Sequence, residues 1–390
     1  MLSAMLRARK SLGHLLVVFF GLFLAACVPG GEPMSASGSG GSGKKVQVAL
    51  LVPGGSSQST DAALAKALEN AARLAVADLS GVSIDLRVYN TAGQPAQAVA
   101  MAQKAADEGA QVILGPVFAE EANAVGVAMA PRGISVLAFS NNPAIAGGNV
   151  FVLGPTFDNT ARRLASYAVR SGKRQVMIVH DRNTAGTLGR DAIQRGVTAA
   201  GGSVVAIASY EFSQNGVSGA APGIVQTAKE KGANAVFLTA DTAGALPLLS
   251  QLLVDNGLDT GASKFVGLTR WDIPAQTLGL PSLQGGWFAL PDPGLYAQFQ
   301  SRYQSAYGAA PHPIAGLAYD GIAAIGALAR QGRDISTSTL TQGAGFAGVS
   351  GIFRFRSDGT NERGLAVAEI RNNQVVVIDP APRSFAGAGL

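Results

Sequence analysis

The sequence has one cysteine, three histidines and two tryptophans in 390 residues, and aromatic side chains make up only 6% of it. A lone cysteine excludes an intrachain disulfide framework. Of the histidines, His14 lies just ahead of the first apolar stretch, His180 ends a strand-like run and His312 stands between Pro311 and Pro313. That distribution offers no metal cluster. No Gly-x-Ser-x-Gly elbow is present either, so neither a catalytic residue nor a cofactor is expected. Charged residues are scarce at 14%, with a formal net charge of +5. Three of the positive charges, Arg7, Arg9 and Lys10, sit ahead of an apolar run from Leu15 to Ala26, and no acid accompanies them. The remainder is close to neutral and has no basic field of the kind that nucleic acid requires.

A charged start, an apolar run too short for the roughly 20 residues of a membrane span, and small residues at Ala25 and Ala26 form an export signal over residues 1–26. The only cysteine, Cys27, stands at its cleavage point. Residues 27–44 are Pro, Gly, Ser and other small residues that bury too little surface to fold, and read as a flexible tether. Within it, Gly38 to Lys45 has the look of a phosphate loop, but Lys45 replaces the Ser/Thr and the segment precedes a strand. The Leu24-Ala25-Ala26-Cys27 sequence resembles the bacterial lipobox, which implies a lipid on Cys27 and attachment to a membrane. Val28, in place of a retaining aspartate, implies the outer membrane of a Gram-negative bacterium, facing the periplasm.

From Val46 onward, β-like apolar runs alternate with helical ones: Val46 to Val52 then Asp61 to Leu79, Ser83 to Tyr89 then Pro95 to Glu108, Val112 to Leu114 then Ala119 to Ala130. The pattern pauses between Ile134 and Pro155. It resumes with a helix from Asp158 and strands at Gln175 to His180, Ser203 to Ser209, Ala235 to Leu238 and Lys264 to Leu268. Such alternation predicts an α/β fold with parallel sheets covered on both faces. The 50 glycines fit many tight strand-to-helix turns, and the length predicts two lobes. Asp107 to Leu114 is echoed by Glu230 to Leu238, as two similar lobes would give. Strands are expected again at Gly351 to Phe355, Leu365 to Arg371 and Gln374 to Ile378, the last two joined at Asn372-Asn373 by a hairpin turn.

This order of elements resembles the type 1 periplasmic binding proteins, in particular the leucine/isoleucine/valine-binding group. The matching stretches are Val48 to Pro53, Ile113-Leu114-Gly115-Pro116, Phe139 to Pro143, Val179-His180-Asp181, and Gly351 to Phe355 with Asp358-Gly359. The resemblance implies two Rossmann-like lobes, three crossovers and a cleft that closes by hinge motion. The expected division is 45–156 in the first lobe, 157–290 in the second, 291–348 back in the first, and 349–390 in the second. Ligands of open α/β sheets lie beyond the carboxyl ends of the strands. The candidate cleft residues are therefore Ser56, Ser57, Asn90, Glu120, Ser140 and Asn141 from the first lobe. Asp181, Asn183, Tyr210, Asp241, Arg270 and Trp271 are those from the second. Asn, Ser and Asp in such loops also serve as caps and turn residues. Trp271, Trp287 and Phe288 equally suit a core.

The resemblance also implies hydroxyl groups after Gly-Pro to hold an amino acid's carboxylate. Here that loop is Val117-Phe118-Ala119-Glu120-Glu121, with no hydroxyl and two acids. Asn141 stands where a threonine is usual, and Thr184-Ala185-Gly186 replaces the aromatic that often follows the Asp181 turn. Outer-membrane lipoproteins that activate peptidoglycan-synthesising penicillin-binding proteins share the fold and need no amino acid. The expected function is therefore a non-enzymatic, lipid-anchored activator whose partner is a peptidoglycan synthase. The alternative is the receptor of an ABC importer, partnered by its permease and binding a branched-chain amino acid, an amide or another small polar ligand in the cleft.

Overall fold

The computed structural model describes residues 45–385. The export signal, Cys27, the tether and residues 386–390 lie outside the described residues.

Strands β1 (Val46–Val52), β2 (Ile84–Asn90), β3 (Val112–Leu114), β4 (Ser135–Ala138) and β5 (Val150–Val152) form a parallel sheet in the order β2-β1-β3-β4-β5. The near-continuous apolar sequence of β1 follows from burial on both faces. Val46, Val48, Leu50 and Val52 enter a core with the helices Ser59–Asp78 and Gly316–Arg330, while Ala49 and Leu51 enter one with Pro95–Asp107 and Ala119–Met129.

The second sheet repeats the device. Strands β6 (Gln175–Asp181), β7 (Ser203–Tyr210), β8 (Ala235–Leu238), β9 (Lys264–Gly267) and β10 (Trp287–Leu290) are parallel neighbours in the order β7-β6-β8-β9-β10. Met177 and Val179 of β6 point to one layer, Val176 and Ile178 to the other. After β11 (Phe346–Gly348), β12 (Gly351–Phe355) and β13 (Asn361–Arg363), the strands β14 (Ala366–Arg371) and β15 (Gln374–Asp379) extend this sheet antiparallel beside β10. Asn372 and Asn373 both have positive φ, 51° and 62°, as a type I′ hairpin turn demands.

The chain crosses between the lobes three times: from β5 to the helix Phe157–Arg170, from β10 to the helix Pro293–Tyr307, and from β13 to β14. The last crossing corrects the expected return to the second lobe at residue 349. Strand β12 pairs with β11 and β13 in a three-stranded sheet, and its Phe353 and Phe355 enter the first lobe's core. Phe355 meets Phe151 of β5 edge to face, ring centres 5.3 Å apart. Alternation of buried and half-buried residues along β12 shows one face in a core, and the aromatic partners decide whose core it is.

Side chains stitch the crossovers together. Asn361 donates to the carbonyls of Val152 (2.7 Å) and Gly154 (2.8 Å), and Asn159 accepts from the Arg363 backbone N–H (3.1 Å) while donating to Asn361. Arg363 donates to Leu153 O through Nε at 3.0 Å and through Nη2 at 2.6 Å. Its Nη1 reaches the wholly buried Asp320 at 2.9 Å.

Candidate functional site

The carboxyl ends of β5, β9 and β10 converge on one cavity of about 270 Å³. Each end turns directly into a crossover or loop, so residues far apart in sequence meet there. Thr156 and Phe157 come from the first crossover, Leu268 to Arg270 from the loop after β9, and Leu290-Pro291 from the second crossover. Tyr296, Ile314 and Leu317 close it from the first lobe, and Arg363 and Leu365 from the third crossover. Local capping fixes several of these positions. Thr156 Oγ1 accepts the Asn159 N–H, and Asp292 accepts the N–H groups of Gly294 (2.9 Å) and Leu295 (3.0 Å), which aims the turn bearing Tyr296. Tyr296 in turn donates to the Pro313 carbonyl at 3.2 Å, and burial pushes its phenol pKa up.

Two guanidinium groups are the charged members of this wall. Arg363 is spent on Asp320 and Leu153. Arg270 holds Asp272 in a two-pronged pair, Nε to Oδ1 at 2.6 Å and Nη2 to Oδ2, which leaves Nη1 without an acceptor among the described residues. A paired but solvent-reachable guanidinium beside hydrocarbon is a strong site for one more oxygen, since charge-assisted bonds strengthen as water is excluded.

Of the candidate cleft residues, Arg270 alone lines this cavity. Ser56 and Ser140 are bound into their own turns, accepting from the N–H of Gln58 and of Asn142, each at 3.1 Å. Ser57 and Asn141 are exposed on loops of the first lobe, Asn90 is exposed at the end of β2, and Glu120 is exposed in the first turn of the helix Ala119–Met129. In the second lobe, Asp181 is buried and accepts from Thr239 (2.9 Å) and from Asn183, which itself caps a helix by accepting the Gly186 N–H at 2.7 Å. Asp241 is exposed.

Two candidates are corrected. Trp271 is 0% exposed in the second lobe's core, fitted so closely against Gly267 and Gly286 that a Cβ at either would overlap its ring. Tyr210, 1% exposed, belongs to the same core, and burial pushes its phenol pKa up. Tyr210 is the last residue of β7 and takes the inward side of its sheet, and for Trp271 a loop position after a strand says nothing about whether the side chain turns toward the opening or back under the sheet. Tyr296, Ile314, Leu317 and Arg363 escaped sequence reasoning. For Tyr296 the signal was Asp292-Pro293 at the second crossover, for Ile314 and Leu317 it was the turn Pro311-His312-Pro313 within the first lobe, and Arg363 had none.

Among the described residues no cluster of His, Cys, Asp or Glu could hold a metal ion, and no helix is long and apolar enough to cross a membrane. Glu121 is the most anomalous acid. It is 0% exposed in the first turn of the helix Ala119–Met129, neither carboxyl oxygen has a hydrogen-bond partner, and burial pushes its pKa up.

A family model described as periplasmic binding protein matches residues 45–374. No curated protein matches the sequence. Among solved structures, a branched chain amino acid ABC transporter periplasmic ligand-binding protein from Burkholderia xenovorans is similar at 18% identity and TM-score 0.67, over 86% of this chain and 96% of that one. An ABC transporter substrate-binding protein from Desulfitobacterium hafniense in complex with Leu gives 16% identity and TM-score 0.63, over 86% and 100%. A solute binding protein of an ABC transporter from R. palustris in complex with benzoate gives 19% identity and TM-score 0.57, over 89% and 100%.

Proposed function

Because the chain belongs to the periplasmic binding protein family, we propose that it is the solute receptor of an ABC importer, a binding protein rather than an enzyme. The observation that carries this reading is the cavity where both lobes and all three crossovers meet. A solute held there touches both lobes at once and stabilises their closed arrangement, the differential contact that hinge closure needs. The similar structures that bear leucine and benzoate support the same reading. This reverses the order of the two functions expected from sequence. The missing amino-acid anchors argued for an activator of penicillin-binding proteins, but they are equally what a receptor for a different solute would show. Lipid attachment through Cys27, outer-membrane sorting through Val28 and a permease as partner belong to the proposal.

The test is a thermal-shift screen of the full-length protein in detergent against amino acids, amides, organic acids, sugars and muropeptides. A saturable rise in melting temperature with one solute is expected by mass action. Silence across the panel, together with capture of a peptidoglycan synthase, would return the activator to first place. Loss of fatty-acid labelling in Cys27→Ser checks the anchor.

A further inference from the structure

The chemistry of the cavity wall narrows the solute. No carboxylate lines it; its two charged residues are Arg270 and Arg363. An ammonium brought here would lose its water and find two cations and no carboxylate to offset the loss. Asp181, a second-lobe acid among the candidate cleft residues, lies outside this wall, is 7% exposed and already accepts from Thr239 and Asn183. A carboxylate meets the opposite situation. Arg363 is 3% exposed at its side chain and committed to Asp320, whereas Arg270 is 31% exposed and has Nη1 unused among the described residues. The rest of the wall carries the hydroxyl-bearing Thr156, Thr160, Thr269 and Ser350, and apolar side chains from both lobes, among them Leu268, Ile273, Leu290, Ile314 and Leu317.

Resting on the receptor reading, we propose that the cavity binds a small apolar monocarboxylate that carries no amino group. Its oxygens are held by Arg270 Nη1, and its hydrocarbon body packs between the second lobe's Leu268 and Ile273 and the first lobe's Ile314 and Leu317. Arg270 is then the specificity-determining residue, and Asp272 both orients its guanidinium and tempers its charge.

Calorimetry on the full-length protein in detergent tests this with isocaproate, leucine and isoamylamine, which share a branched aliphatic body, and with benzoate as an aromatic acid. At least one acid is expected to bind about ten-fold or more tighter than leucine and the amine. Arg270→Gln is expected to weaken that acid about ten-fold, and Asp272→Asn, which keeps one accepting oxygen but frees one further N–H group and removes the neighbouring negative charge, to tighten it several-fold. The second variant keeps the test alive if the first folds poorly. Leucine or the amine binding as tightly as the acids would overturn the proposed class and leave the receptor reading standing. An acid that binds with unchanged affinity in both variants would overturn the role of Arg270. Silence of all four probes overturns the proposal, and silence of the wider solute panel as well removes the receptor reading with it.

Discussion

Arg363 and Asp320 pair at 2.9 Å with side-chain exposures of 3% and 0%, and the pair ties the third crossover to the helix Gly316–Arg330. Asp320 also accepts the Val349 N–H at 2.8 Å, so the helix, β13 and the turn before β12 share one carboxylate.

Removing either partner leaves a buried charge alone. Asp320→Ala and Arg363→Ala are each expected to cost about 3–5 kcal/mol in urea unfolding, and the double variant much less than their sum. Equal, additive losses would show that the two side chains act separately.

The assignment of β12 to the first lobe has its own signature. Phe353→Ala is expected to cost about 3–5 kcal/mol and to raise amide exchange first in β1 and β5, with β6 and β8 following only at global unfolding. Early exchange in β6 would place the strand in the other core.

Glu121 should penalise the fold at neutral pH. Its pKa is raised by burial, so the folded chain keeps the proton over an interval in which the unfolded chain has lost it. Stability therefore falls as pH climbs from the ordinary carboxylate range through the raised value and is level above it. Glu121→Gln is expected to stabilise the fold at pH 7.5 and to leave it unchanged near pH 4. A thermal melt at the two pH values reads the difference.

Trp271 and Trp287 are 0% and 6% exposed. Their fluorescence should resist acrylamide, and Trp271→Ala should cost about 3–5 kcal/mol as a core truncation. Trp271→Phe is expected to leave solute affinity unchanged; a loss of binding in that variant with an intact melt would return the indole to the cleft.

Strands with apolar residues on both faces, such as β1 and β6, were legible from sequence because two-sided burial writes an almost unbroken hydrophobic run. So was the hairpin at Asn372-Asn373, where the backbone needs two residues that tolerate positive φ. The strands β11 and β13 were not: Phe346-Ala347-Gly348 and Asn361-Glu362-Arg363 have no apolar run, unlike the equally short β3, Val112-Ile113-Leu114. The site divided in the same way. Arg270 was legible from its place after β9, while Tyr296 and Arg363 reach the cavity through crossovers whose pairing depends on residues up to 210 positions distant, as between Arg363 and Leu153.

The triple crossing also bears on when this chain can become compact. The first core needs Phe346, Phe353 and Phe355, and the second sheet needs β14 and β15, so no N-terminal fragment holds a finished lobe. Contacts this remote in sequence close slowly. A polypeptide still emerging from a ribosome thus stays loose until its last stretch is made, and a chain that must be threaded through a narrow translocation channel before it folds gains from that delay.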